Sequence, residues 1–389
     1  KMRPLGIPTI KDRALQAAVK SVLEPYWEAR FEPNSYGFRP AYGCHDAIDA
    51  ITKSLVISKK GKWVLDADIT GCFDNIDHEA LLSKLNTQWR GIINQWLKAG
   101  YMERGEFNST KAGTPQGGTI SPLLANIALD RMETDLIEHL RCKCGNKLIG
   151  NPSVSCNVNK DGTKTWYQKS LKVTIVRYAD DFVVIHEDES VVREAKSYLK
   201  EWLKGVGLEL SDEKTKVVRS TEGFDFLGCH FRHYLNNKLS PKYKSKLLQG
   251  TKTEQNRARA KYVFRVEPTK AKIISHWRDI STTVKRMNSA SAKDLINVLQ
   301  PKISGWANYY ATVHSHEVFS KLDFLLWKRL WRWVSRKHPL KNAKWRKEHY
   351  YRYHDGRNWS FVYLKGGEIV KAIKPSLNRP LRSALTPIA

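Results

Sequence analysis

Apolar and polar positions along this chain follow two periods, and where one gives way to the other the chain divides. After a Pro- and Gly-punctuated opening, Ala14, Leu15, Ala18, Val22 and Leu23 recur at helical spacing from Asp12 onward. "EPNSYGFRPAYG" is a turn-rich loop that leads into a second helix. "KWVLDADITGCFDNID" begins as a strand and ends as a loop, "HEALLSKL" predicts a short helix, and residues 105–120 read as a Gly-rich loop. "SPLLANIALDRMETDLIEHL" predicts a helix, and "SVVREAKSYLKEWLKGVG" an amphipathic one stopped by glycine. Strands thus alternate with helices to about Tyr234. Residues 241–265 are basic and poor in apolar positions, the pattern over about 268–338 is helical only, and the last thirty residues look irregular.

One stretch breaks the pattern. In "VRYADDFVVI", Asp180 and Asp181 stand between runs of β-branched and aromatic residues that suit a half-buried sheet. Ala179-Asp180-Asp181 would then be the turn of a hairpin. Adjacent carboxylates repel, and burial raises the cost, so both stay ionised only beside a cation. The plain alternative is a solvated Asp-Asp turn. A second acidic motif decides in favour of chemistry. In "LDADITGCFDNID", Asp66 and Asp68 alternate along a strand that ends at Asp68, while Asp74 and Asp77 belong to the loop beyond. A strand-end Asp opposite a hairpin Asp pair would clamp two Mg²⁺ ions, hard cations that take oxygen ligands and leave positions open for phosphate.

Charge sharpens this. The 389 residues carry 66 Lys plus Arg against 39 Asp plus Glu, a net of +27, with 13 Trp and 16 Tyr among the cations. That combination predicts a nucleic-acid partner. At 41% hydrophobic the chain can build a large core, and no apolar run approaches the ~20 residues of a membrane span. Six scattered cysteines fit free thiols in a reducing compartment. His139, Cys142, Cys144 and Cys156 would make a structural zinc site, but their spacing matches no standard template.

"LDADITGCFDNIDH", "GTPQGGTISPLLANI", "VRYADDFVV", "LELSDEKTKV" and "FDFLGC" occur in that order. Together they resemble the motifs of reverse transcriptases encoded by group II introns. "RPLGIPTIKDRALQ" and "YGFRPAYGCHDAI" resemble the fingers blocks of that family, and "PKISGWANYY" its thumb, or maturase, region. The resemblance implies an α+β right-hand polymerase: fingers and a palm with an antiparallel sheet and the YADD hairpin over 1–240, a basic linker and helical thumb/maturase domain over 241–338, and the start of a DNA-binding region over 339–389. It implies a metal-binding triad of Asp68, Asp180 and Asp181, helped by the Ile69 carbonyl. Phe73 matches the gate that rejects a 2′-OH. Gln116 matches a residue near the incoming nucleotide, and Lys1, Arg3, Lys11 and Arg13 are candidates for its triphosphate. Lys214 matches the lysine that neutralises or protonates leaving pyrophosphate. Phe226, Leu227 and Gly228 match the primer grip. The ordinary alternatives are a core Phe for Phe73, a common turn for Gly117-Gly118 and a solvated lysine for Lys214.

The helical tail points the same way from its own composition. Residues 321–352 hold eleven Lys or Arg against two acids. Leu322, Leu326, Leu330 and Trp333 share one helical face, with Lys328, Arg329, Arg332 and Arg336 on others; Trp345 and Arg346 continue the pattern. Cations beside Trp suit an RNA backbone, though a core helix with a solvated basic face has the same pattern. The expected partners are group II intron RNA, a DNA target and primer, and dNTPs, in a ribonucleoprotein of open protein stoichiometry in the bacterial cytoplasm, at the nucleoid. A family N-terminal extension and an HNH endonuclease with paired CxxC are expected to be missing, and "RCKCGNKLIGNPSVSC" reads as a surface insertion. Alternatives are a domesticated reverse transcriptase in defence or another non-intron role, an RNA-binding splicing cofactor without polymerase activity, and an RNA-dependent RNA polymerase. The acidic triad argues against the second of these, and Phe73 against the third.

Overall fold

Thr9 starts the first helix, α1 (Ile10–Glu28), by accepting the Asp12 N–H, and Gln16, Val19, Leu23 and Trp27 form its buried stripe. The computed structural model describes residues 6–56, 61–85, 88–103, 106–115, 117–145, 154–158, 164–168, 173–236, 248–249, 251, 261–354 and 357–373. The chain divides into two compact units, Lys1–Leu227 with Arg232–Phe264, and Gly228–Phe231 with Arg265–Ala389.

In the first unit, α2 (Cys44–Val56) buries Ala47, Ile48, Ile51 and Leu55. Then come β1 (Trp63–Asp68), α3 (Cys72–Asn75), α4 (His78–Lys84) and α5 (Arg90–Lys98). A hairpin of β2 (Tyr101–Glu103) and β3 (Glu106–Asn108) takes part of the stretch expected to be loop. It is followed by α6 (Ser121–Ala128), α7 (Met132–Gly145) and a second hairpin, β4 (Val154–Val158) with β5 (Lys164–Gln168). The apolar run around Asp180 folds as predicted. β6 (Thr174–Tyr178) and β7 (Asp181–His186) pair antiparallel, with Tyr178 opposite Asp181. Asp188 caps α8 (Glu189–Lys204), which buries Val191, Val192, Ala195, Leu199 and Leu203 and ends at Gly205. β8 (Lys216–Arg219) completes an antiparallel sheet of order β6-β7-β1-β8. Helices α1, α4, α5, α6, α7 and α8 share one core with this sheet. β9 (Phe224–Phe226), β10 (Cys229–Leu235) and β11 (Tyr262–Pro268) form a three-stranded sheet, and β10 and β11 contribute residues to both units.

The second unit is helical where helix was expected. Thr269 caps α9 (Lys270–Arg286) and Ser291 caps α10 (Ala292–Tyr309); α11 (His316–Lys337) and α12 (Ala343–Tyr350) follow. Leu326, Leu330, Trp333 and Val334 of α11 pack on Ile280, Val284, Leu295 and Leu299. One expectation fails here. The tail is not irregular throughout: β12 (Tyr351–His354), β13 (Arg357–Lys365) and β14 (Glu368–Ala372) make an antiparallel meander. Tyr351, Phe361 and Val362 of the meander are buried, whereas Tyr353, Trp359, Ile369 and Val370 are exposed.

Candidate active site

Strand order brings the two acidic motifs together. β1 lies beside β7, so Asp68, the last residue of β1, is paired with Asp181, the first of β7. The Ile69 N–H donates to the Asp180 carbonyl at 3.0 Å, fastening the strand end to the turn. Ala179 adopts φ 58°, a left-handed conformation that makes the turn tight. Burial pushes the Asp181 carboxyl up to about 7, with the Asp180 charge and contact with Asp68 adding to it, and Lys214 opposing. Lys214 comes from the loop between α8 and β8, and its Nζ lies 2.7 Å from Asp68 Oδ2. That bond raises the ammonium pKa. Asp66 lies on the same strand. Burial, then the Asp225 charge, lifts it to about 7 against the pull of Lys216.

The donor set fits a hard divalent cation. It is all oxygen, and three carboxylates share a crowded space that one ammonium only partly neutralises. Among the described residues no group of three or more His, Cys, Asp or Glu side chains is already arranged to hold a metal ion.

Several residues that support the turn escaped the sequence reading. Arg177 is buried, and Nη1 donates to Asn126 Oδ1 at 3.2 Å. Burial lowers its pKa, while Glu32 favours the charged form. Asn126 in turn donates to the Gly37 carbonyl at 2.8 Å. Lys84 donates to the carbonyls of Ala128 and Asp130, ending α6. A charged residue inside the strand "TIVRY" was the available signal, since buried arginines need partners.

Phe73 stands half-buried on α3, with the Phe38 ring edge-to-face against it at 5.7 Å. Gln116 lies outside the described residues. Its flanks are anchored: Thr119 N–H donates to Gln16 Oε1 at 2.8 Å, and Gly118 N–H to the Pro115 carbonyl. Lys1 and Arg3 also lie outside the described residues. Lys11 and Arg13 are exposed in the first turn of α1. Phe226 is buried; Leu227 and Gly228 both take positive φ, 48° and 75°. The Gly228 carbonyl accepts the Thr269 N–H at 3.0 Å and the Tyr310 hydroxyl at 3.1 Å.

The basic residues of the second unit separate into two groups. Lys328, Arg332 and Arg336 are exposed. Arg329 is turned to the Ser281 carbonyl at 3.1 Å, and burial followed by Arg336 and Arg332 lowers its pKa. Arg346 grips the end of α11, bonding the carbonyls of His338 and Pro339 and the Ser335 hydroxyl. Trp345 is half-buried and stacks on His349, ring centroids 3.7 Å apart. Of the zinc candidates, His139 Nε2 meets Glu194 at 2.8 Å, and the side chains of Cys142, Cys144 and Cys156 lie outside the described residues.

A palm-like antiparallel sheet with three facing carboxylates is a polymerase arrangement, and comparison assigns it. Residues 1–231 match the reverse transcriptase (RNA-dependent DNA polymerase) family, and the chain belongs to it. Residues 274–351 match the group II intron maturase-specific domain. The chain is 29% identical over 374 residues to the group II intron-encoded protein LtrA of Lactococcus lactis subsp. cremoris, covering 84% of this chain and 61% of LtrA. It is 35% identical over 244 residues to protein YkfC of Escherichia coli K12, 59% of this chain and 62% of YkfC. It is 25% identical over 365 residues to a 91 kDa protein in the cob intron of Schizosaccharomyces pombe, 83% of this chain and 43% of that one. The chain thus spans about three-fifths or less of these relatives' length. Among the described residues no helix is long and apolar enough to cross a membrane.

Proposed function

We propose that this chain is an RNA-directed DNA polymerase that copies intron RNA into cDNA, and a maturase that holds group II intron RNA to assist splicing and retrohoming. The observation that carries the polymerase reading is the pairing of Asp68 with Asp181, with Asp180 on the turn and Lys214 on Asp68. Asp68, Asp180, Asp181 and the Ile69 carbonyl would hold two Mg²⁺ ions. When bound, such ions stabilise the attacking and leaving oxygens of an in-line displacement.

The protein's own groups do the rest. Lys214, kept protonated by Asp68, supplies positive charge for leaving pyrophosphate, a task its raised pKa suits better than proton donation. Phe73 excludes a 2′-hydroxyl by bulk. Gln116 contacts the incoming nucleotide, and Lys1, Arg3, Lys11 and Arg13 supply charge for its triphosphate. Phe226, Leu227 and Gly228 hold the primer. In the second unit Lys328, Arg332, Arg336 and Trp345 meet RNA, whereas Arg329 and Arg346 first serve the helices they bond. We assign 1–240 to fingers and palm, 241–338 to linker and thumb/maturase, and 339–389 to the start of a DNA-binding region. The workplace is the bacterial cytoplasm, at the nucleoid.

Primer extension on an RNA template with dNTPs and Mg²⁺ tests this. Wild type extends the primer, chelation stops it, and Asp181→Asn lowers the rate by at least about 10³-fold, as loss of a principal charge stabiliser does. Extension by Asp181→Asn at the wild-type rate would overturn the assignment.

A further inference from the structure

Phe38 sits in an unusual place for a large apolar residue. It is 50% exposed, and its φ of 61° is a left-handed conformation that a side chain with a Cβ disfavours. Both neighbours are pinned. The Gly37 carbonyl accepts Asn126 Nδ2, and a Cβ on Gly37 would fall 2.2 Å from the Ala179 backbone nitrogen. The loop therefore lies directly on the turn that carries Asp180. Tyr36 N–H donates to the Arg177 carbonyl, and Arg177 N–H to the Asn34 carbonyl, both at 2.9 Å. On the other side the Arg39 guanidinium is buried. It bonds Glu28 Oε2 at 2.8 Å and the carbonyls of Glu32 and Ser35 at 2.9 Å, and it stacks over Tyr42.

These contacts impose the backbone of Phe38 and direct its ring away from the core. There it meets Phe73 edge-to-face, centroids 5.7 Å apart and planes at 79°. Packing alone does not account for the residue. Half its surface is exposed, and glycine would adopt this φ without strain. Strain held in place by a fixed surround is characteristic of functional sites.

We infer that Phe38 is a specificity-determining positioning residue. It braces the Phe73 ring, so that exclusion of a 2′-hydroxyl depends on two aromatic rings and not one. This rests on the gate role proposed for Phe73. A gate discriminates only if it cannot swing aside, and an edge-to-face partner removes that freedom.

The test measures selectivity, the ratio of kcat/KM for a dNTP to that for the matching rNTP, in primer extension on an RNA template. Phe73→Ala should collapse the ratio. Phe38→Leu should lower it about 2- to 10-fold, the weight of one aromatic pair, and Phe38→Tyr should restore it. In the Phe73→Ala background, Phe38→Leu should change nothing further, because the brace then has nothing to hold. If Phe73→Ala collapses selectivity and Phe38→Leu leaves it intact, or lowers dNTP and rNTP use in equal proportion, the inference is overturned and the gate stands. If Phe73→Ala leaves selectivity unchanged, the gate falls and the inference with it.

Discussion

Asp66 and Asp181 carry carboxyl pKa values near 7, raised first by burial in both cases. The unfolded chain titrates them near ~3.9. Between about pH 4 and 7 the folded chain therefore holds protons that the unfolded chain has lost. Their contribution to stability is fully present below pH 4 and is lost as pH rises through 7. Asp66 separates this effect from catalysis, since it has no proposed ligand role. Asp66→Asn should raise the melting temperature at pH 8, by about 1–2 °C for each kcal/mol recovered in a chain of this size, and change it little at pH 3. Equal shifts at the two pH values would show that the carboxylate is not held against its burial. The alternation of Asp66 and Asp68 was legible in the sequence. The crowding with Asp181 was not, because it arises from a strand pairing across more than a hundred residues, and the Asp225 charge beside Asp66 comes from a strand of a different sheet. Phe38 was illegible for the same reason, and Arg177 showed only as a charge inside a strand: their partners, Phe73 and Asn126, are set by the fold.

At the scale of elements, helices with a clear apolar stripe were legible to within a few residues, α8 with its stop at Gly205 being the plainest. The β12–β14 meander was missed, although Asp355-Gly356 stood as a hairpin signal between aromatic runs and His354 pairs with Arg357. The density of cations there outweighed the alternation in the reading. The same density concealed a division of labour on α11 and α12. Arg346 satisfies carbonyls at the C-terminal end of α11, where backbone acceptors lack helical partners. Arg346→Ala should cost about 1–3 kcal/mol of stability, read by thermal unfolding. Arg332→Ala with Arg336→Ala should leave the melting temperature nearly unchanged. That pair should instead weaken RNA binding and flatten its salt dependence by about one unit of slope per lost phosphate contact. Filter binding across a salt series checks this, and the assignment fails if the two variants exchange behaviours.

The whole molecule joins two kinds of surface. The first unit sets a few acids on a rigid sheet whose neighbours are apolar, and the second spreads exposed cations over packed helices. It follows that chemistry and RNA holding are separable, and the net charge of +27 suits a polyanionic partner for both. The most direct measurement is to assay Asp180→Ala/Asp181→Ala beside wild type for two properties in the same preparation, primer extension on RNA and affinity for structured group II intron RNA. The account predicts that the variant loses extension and binds the RNA as tightly as wild type. Retained extension by the variant, or loss of RNA binding along with it in a protein that melts normally, would contradict it.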